Sequence, residues 1–161
     1  GPVHRAVPAP LVPGPTLTHD DALAVLNAVR EELDRRGAGA AVAVCDDHGE
    51  LMAFLRTNGC RLPSITIAMN KAYTAAREQV ASKEVGAASR DQGFPMTNFG
   101  ELRYVSWGGG VPLTASGTVV GAIGVSGLPE HEDIELADLG RAAFESIHTS
   151  PVASDGVDEV S

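Results

Sequence analysis

Lysine is nearly absent from this chain: Lys71 and Lys83 are the only two among 161 residues, and the formal charge at neutral pH is −9. So acidic a chain argues against nucleic acid and an anionic membrane as partners. Aromatic residues are also scarce, at 4% with one tryptophan, and cysteine occurs twice. Cys45 lies in a strand-like run and Cys60 in a loop, which makes neither a disulfide framework nor a zinc motif. Two free thiols make the cytoplasm the default location. No apolar run approaches the length that spans a bilayer, and no leader-like apolar region with a cleavage site opens the chain. The first two residues, Gly-Pro, read as a protease scar, which leaves room for a trimmed export leader.

What is present is a small-residue composition, 43% hydrophobic with 18 glycines, on a length that suits one domain. Residues 1–16 carry five prolines and no periodicity, and read as an extended or disordered N-terminal arm. Residues 17–148 read as a single domain, and 149–161 as a flexible, polar C-terminal tail. Thr18 reads as the N-cap of a first helix that runs to about Arg36 and stops at Gly37. Ala40 to Cys45 and Leu51 to Leu55, joined by Asp46-Asp47-His48-Gly49, predict a β-hairpin. Pro63-Ser64 opens a second helix with an apolar stripe of Ile65, Ala68, Met69, Ala72, Ala75 and Ala76. Lys71 borders that stripe. A short third helix is expected around Ser82 to Arg90, then a loop from Gln92 to Gly100. Leu102 to Trp107 alternates and predicts a strand, and Ile134 to Ile147 carries the stripe of a closing helix. Short connections force antiparallel pairing, so the fold class is α+β, an antiparallel sheet with helices packed on it.

The densest signal is Trp107 to Gly127. Val111 to Leu113 and Val119 to Val125 flank Ala115-Ser116-Gly117, the composition of a tight hairpin. Gly108, Gly109 and Gly110 strip the approach to it of side chains, and Gly121 and Gly124 interrupt the second strand where a backbone or a ligand comes close. A bare backbone beside a tryptophan suggests a floor for a flat ligand. The same run also suits a plain hairpin packed against helices, and no Walker-type Lys-Ser/Thr follows it.

The run from Ser64 to Ala75 (Ser-Ile-Thr-Ile-Ala-Met-Asn-Lys-Ala-Tyr-Thr-Ala), Trp107-Gly-Gly-Gly-Val-Pro-Leu113 and Val120-Gly-Ala-Ile-Gly-Val-Ser-Gly127 together resemble the GlcG/HbpS-like family, from Leu17 to about Ile147. That family also takes in the C-terminal domain of a corrinoid adenosyltransferase of diol metabolism. The resemblance implies a profilin-like fold with a five-stranded antiparallel sheet, a homo-oligomer, and haem or another small molecule held in grooves partly built by neighbouring subunits. The last helix of the family opens with Glu-x-Asp, whereas this chain reads His131-Glu132-Asp133. The histidine at the glutamate position reads as a new axial ligand, a general base, or a plain solvated residue at a helix start, where positive charge is mildly unfavourable.

Two functions follow, beside a structural or regulatory oligomer that uses the fold only for assembly. One is a binding protein for haem or a related flat molecule. Asn70, Lys71, Tyr73, Thr74, Trp107 and the Gly108 to Gly110 backbone would bind the ligand, and Phe94, Met96 and Phe99 would complete the slot. Lys71, Arg77 and Arg103 would supply cations for propionates, and His131 the axial donor. No Cys-x-x-Cys-His is present, so such haem is non-covalent, and no other metal is expected. The alternative is a cofactor-independent isomerase, lyase or cyclase. It would use His131, Lys71, Glu101 and Asp133, with the glycine N–H groups polarising a carbonyl.

Overall fold

The computed structural model describes residues 15–148; the expected disorder of the first fourteen residues and of the tail lies outside the described residues. The element order is α1 (His19–Arg36), β1 (Ala41–Asp46), β2 (Leu51–Arg56), α2 (Ser64–Glu78), α3 (Ser82–Gln92), a 3-10 turn (Met96–Phe99), β3 (Gly110–Ala115), β4 (Thr118–Ser126) and α4 (Glu130–His148).

Local chemistry sets the boundaries. The Thr18 hydroxyl accepts from the Asp21 N–H at 3.1 Å while the Asp21 carboxylate accepts from the Thr18 N–H, a reciprocal cap at the start of α1. Gly37 ends that helix in the left-handed conformation. Ser116 and Gly117, both at positive φ, form the two-residue turn between β3 and β4.

The sheet has four strands in the order β2-β1-β4-β3, all antiparallel. Strand alternation divides the core into two layers. Val42 and Val44 face α1 and α4 with Leu33, Ile123, Leu136 and Phe144, while Ala41, Ala43 and Cys45 face the alanines of α2. The α2 layer is thin because β4 offers it Gly124: a Cβ there would run into the Ala68 carbonyl oxygen.

The expected fifth strand is corrected by this topology. Leu102 to Trp107 is an irregular segment, and its backbone groups are taken by side chains rather than by a neighbouring strand. The Val105 N–H donates to the Thr74 hydroxyl at 2.9 Å, the Arg103 N–H to the Glu101 carboxylate at 3.1 Å, and the Ser82 hydroxyl to the Trp107 carbonyl at 2.7 Å. The segment is therefore laid along α2 and α3. No described helix is long and apolar enough to cross a membrane.

Candidate functional site

The site grows from two helix stripes. In α2 the buried positions Ser64, Ala68, Lys71, Ala72 and Ala75 repeat at helical spacing, so Lys71 stands within the stripe that faces the sheet. In α4 the buried series is Asp133, Leu136, Ala137, Gly140 and Phe144, and Asp133 heads it. Lys71 reaches the last residues of β4, where its ammonium donates to the Val125 carbonyl at 2.9 Å and to Asp133 Oδ2 at 3.1 Å. Both side chains are almost fully buried, at 3% and 4% exposure. Asp133 Oδ1 accepts from the Leu128 N–H at 3.1 Å. Burial pushes the Asp133 carboxyl above its usual value, and the attraction of Lys71 and the bonds it accepts only partly offset this.

The glycine run packs on this pair. Gly109, at φ +120°, lies so close that a Cβ would stand 2.9 Å from Lys71 Nζ and 2.6 Å from the Val125 carbonyl oxygen. Its neighbours are pinned from both sides. The Gly108 N–H donates to a Glu130 carboxylate oxygen at 2.6 Å, and the Gly110 N–H to the Ser82 hydroxyl at 2.9 Å. These two N–H groups, expected to polarise a substrate carbonyl, are thus taken within the chain.

Over the pair opens a cleft of about 380 Å³, lined by Arg61, Pro63, Ser64, Ile67, Lys71, Trp107, Ser126, Gly127, Leu128, Glu130 and Asp133. Trp107 is 58% exposed at its rim, so an indole face is open to a ligand. No histidine, cysteine, methionine or tyrosine lines this cleft among the described residues, and it offers no axial donor to haem iron.

Of the residues expected at the site, the structure brings together Lys71, Asp133, Trp107 and, against the ammonium, Gly109. His131 is exposed on the first turn of α4 and does not line the cleft. Asn70 and Tyr73 border a separate hollow with Met69, Cys45 and Arg103. There the Tyr73 hydroxyl donates to Glu101 at 3.0 Å, and the Arg103 guanidinium lies 3.8 Å from the Tyr73 ring centre. Arg103 holds the Glu101 carboxyl down at about 2. The Thr74 hydroxyl is committed to the Asn70 carbonyl and the Val105 N–H. Phe94 packs on Phe99, and Phe99 on Tyr104 with ring centres 4.4 Å apart, while Met96 borders a shallow hollow with Leu102. Arg77 donates to the His48 carbonyl.

Several site residues lie outside the set expected from the sequence, Ile67, Ser126 and Leu128 of the cleft wall among them. Glu130 and Ser82 hold the glycine run; their only signal was their place at helix starts. Arg61 and Ser64 line the cleft, and the Pro63-Ser64 helix start was the one hint of them.

Comparison with known proteins agrees with this architecture. The family described as haem degrading protein HbpS-like matches residues 17–142. Protein GlcG of Escherichia coli K12 is 33% identical over 119 residues, covering 68% of this chain and 81% of GlcG. Among solved structures, a double mutant of HbpS from Streptomyces reticuli superposes with a TM-score of 0.75 at 29% identity, covering 88% of this chain and 97% of that one. A PduOC–haem complex superposes with a TM-score of 0.73 at 25% identity, covering 80% of this chain and 94% of the other.

Proposed function

This chain belongs to the HbpS-like family, and on that premise we propose that it binds a small flat molecule, haem or a relative of it, against Trp107 in the cleft over Lys71 and Asp133. The observation that carries this reading is the cleft itself. Its floor is a rigid, already satisfied ion pair, and an exposed indole stands at its rim. The haem complex of PduOC, which shares the fold, supports the choice of a flat ligand. Haem in this cleft would be held by its faces and propionates; an axial bond would need a donor from a neighbouring subunit. Leu102, Leu62 and Trp107, at 95%, 68% and 58% exposure, support a homo-oligomer that covers part of this surface. The two free cysteines support a cytoplasmic location.

Titration with haemin tests the binding reading. We expect quenching of the single tryptophan together with a Soret shift, both saturating at one equivalent per chain. Spectra that are the plain sum of protein and free haemin would overturn it.

A second reading, a cofactor-independent isomerase, lyase or cyclase, is favoured by one observation. The Lys71–Asp133 couple touches the cleft, with a carboxyl whose affinity for a proton is raised by burial. In that reading Asp133 takes the substrate proton and Lys71 stabilises the anion left behind. Loss of turnover in Asp133→Asn with ligand binding intact separates it from simple binding.

A further inference from the structure

We infer that the ligand of this cleft carries a carboxylate, received at the N-terminal end of α2 by Arg61 and Ser64, with its flat body turned toward Trp107. This rests on the reading of the cleft as the ligand site.

Three observations converge on that end. First, α2 starts at Ser64 with no side-chain cap and no acidic residue in its first turn, so no carboxylate of its own offsets the positive end of its dipole where Pro63, Ser64 and Ile67 line the cleft. Second, Ser64 and Ser126 are each only 5% exposed, yet neither hydroxyl has a hydrogen-bond partner among the described residues. No fully buried side-chain polar atom lacks a partner, so these hydroxyls must reach open space, and the space they line is the cleft. A hydroxyl open to the cleft can donate to a ligand oxygen in place of water. Third, Arg61 is the one cation of the cleft not already neutralised. Lys71 is committed to Asp133, whereas Arg61 forms no ion pair among the described residues. Its backbone is fixed by the Ser64 N–H, which donates to the Arg61 carbonyl at 3.1 Å.

Glu130 sets the orientation. Its carboxylate accepts from the Gly108 N–H at 2.6 Å, next in the chain to Trp107, and a second anion beside it would be repelled. A ligand acid group is therefore driven to the Arg61 end, and only the neutral part of the molecule can lie near Trp107. In a chain of net charge −9 the cleft lining is balanced, Arg61 and Lys71 against Glu130 and Asp133, and the unpaired Arg61 is what favours an acid there.

The same chemistry occurs on a porphyrin propionate and on a smaller planar acid, and paired probes separate the two. Protoporphyrin IX is compared with its dimethyl ester, and 2-naphthoate with 2-naphthamide, each titrated against Trp107 fluorescence in the wild type, Arg61→Gln and Ser64→Ala. The acid should bind about tenfold or more tighter than its neutral partner in at least one pair. Arg61→Gln should shrink that ratio to about twofold, and Ser64→Ala should weaken the acid at an unchanged melting temperature. A preference confined to the porphyrins assigns a propionate; one confined to the naphthalenes assigns a small planar acid. Neutral compounds that bind as well as acids, or a preference that survives Arg61→Gln, would overturn the carboxylate while leaving the cleft a ligand site. If none of the four probes alters the fluorescence, the reading of the cleft fails, and this inference with it.

Discussion

Lys71 Nζ lies 3.1 Å from Asp133 Oδ2, and this contact joins helices packed on opposite faces of the sheet. Each residue occupies a position in the buried stripe of its own helix, so neither charge can turn to solvent without tearing the stripe. The pair exists because the two helices bring their charged stripe positions to the same end of β4. Gly109, lacking a side chain, leaves the ammonium room to pass.

Breaking the pair should be more damaging than neutralising it. Lys71→Met strands a buried carboxylate and should cost about 3–5 kcal/mol of stability in urea unfolding. Asp133→Asn keeps an oxygen for the Leu128 N–H, so the double variant Lys71→Met/Asp133→Asn should recover much of that loss. A double variant whose loss equals the sum of the singles would show that the two groups do not interact.

Gly124→Ala should lower stability by about 3 kcal/mol or more, because the new methyl meets the Ala68 backbone and α2 cannot yield without leaving the sheet. Denaturant midpoints measure this. A variant as stable as the wild type would mean that α2 sits farther from β4 than described.

Acid sensitivity should trace in part to Glu101. Hydrogen bonds from Arg103, then from Tyr73, hold its carboxyl near 2 against an ordinary 4.5, so the folded state favours its ionised form. The stabilisation is complete above the ordinary value and is lost as pH falls from about 4.5 toward 2. Glu101→Gln should therefore differ from the wild type at pH 7 and converge with it at the acid end. Asp133, raised by burial, works in the opposite direction, since its protonation on acidification favours the folded chain. A gap between Glu101→Gln and wild type that is constant across this range would contradict the assignment.

Light scattering across a concentration series should give a closed oligomer, at least a dimer, in keeping with the exposed Leu62, Leu102 and Trp107. A monomer mass throughout would count against it, and Leu102→Glu should shift the distribution toward monomer.

Much of the frame was legible in the chain. Capping at Thr18, the stop at Gly37, both hairpins and the apolar stripes of α1, α2 and α4 follow from local rules that depend on few neighbours. The strand expected at Leu102 to Trp107 failed because alternation says nothing of what the backbone will bond to, and Thr74, Glu101 and Ser82 satisfied it first. Lys71 was placed at the border of its stripe because a charge counts as polar in any periodic pattern. Only its distant partner, 62 residues away, makes its burial tolerable. At the Arg61–Ser64 end of the cleft only Ser64 belongs to a motif, and nothing in the sequence marks Arg61 as a site residue. It becomes visible only once the other cations of the region are seen to be paired.

The most direct test is to map backbone amide shifts while adding metal-free protoporphyrin IX, whose diamagnetism leaves every signal observable. Saturable changes are expected at Ser64, Ile67, Ser126, Gly127 and Leu128, with loss of the Trp107 indole signal from its free position. Changes confined instead to Glu50, Met69, Asn70 and Tyr73, around the second hollow, would contradict binding in the cleft.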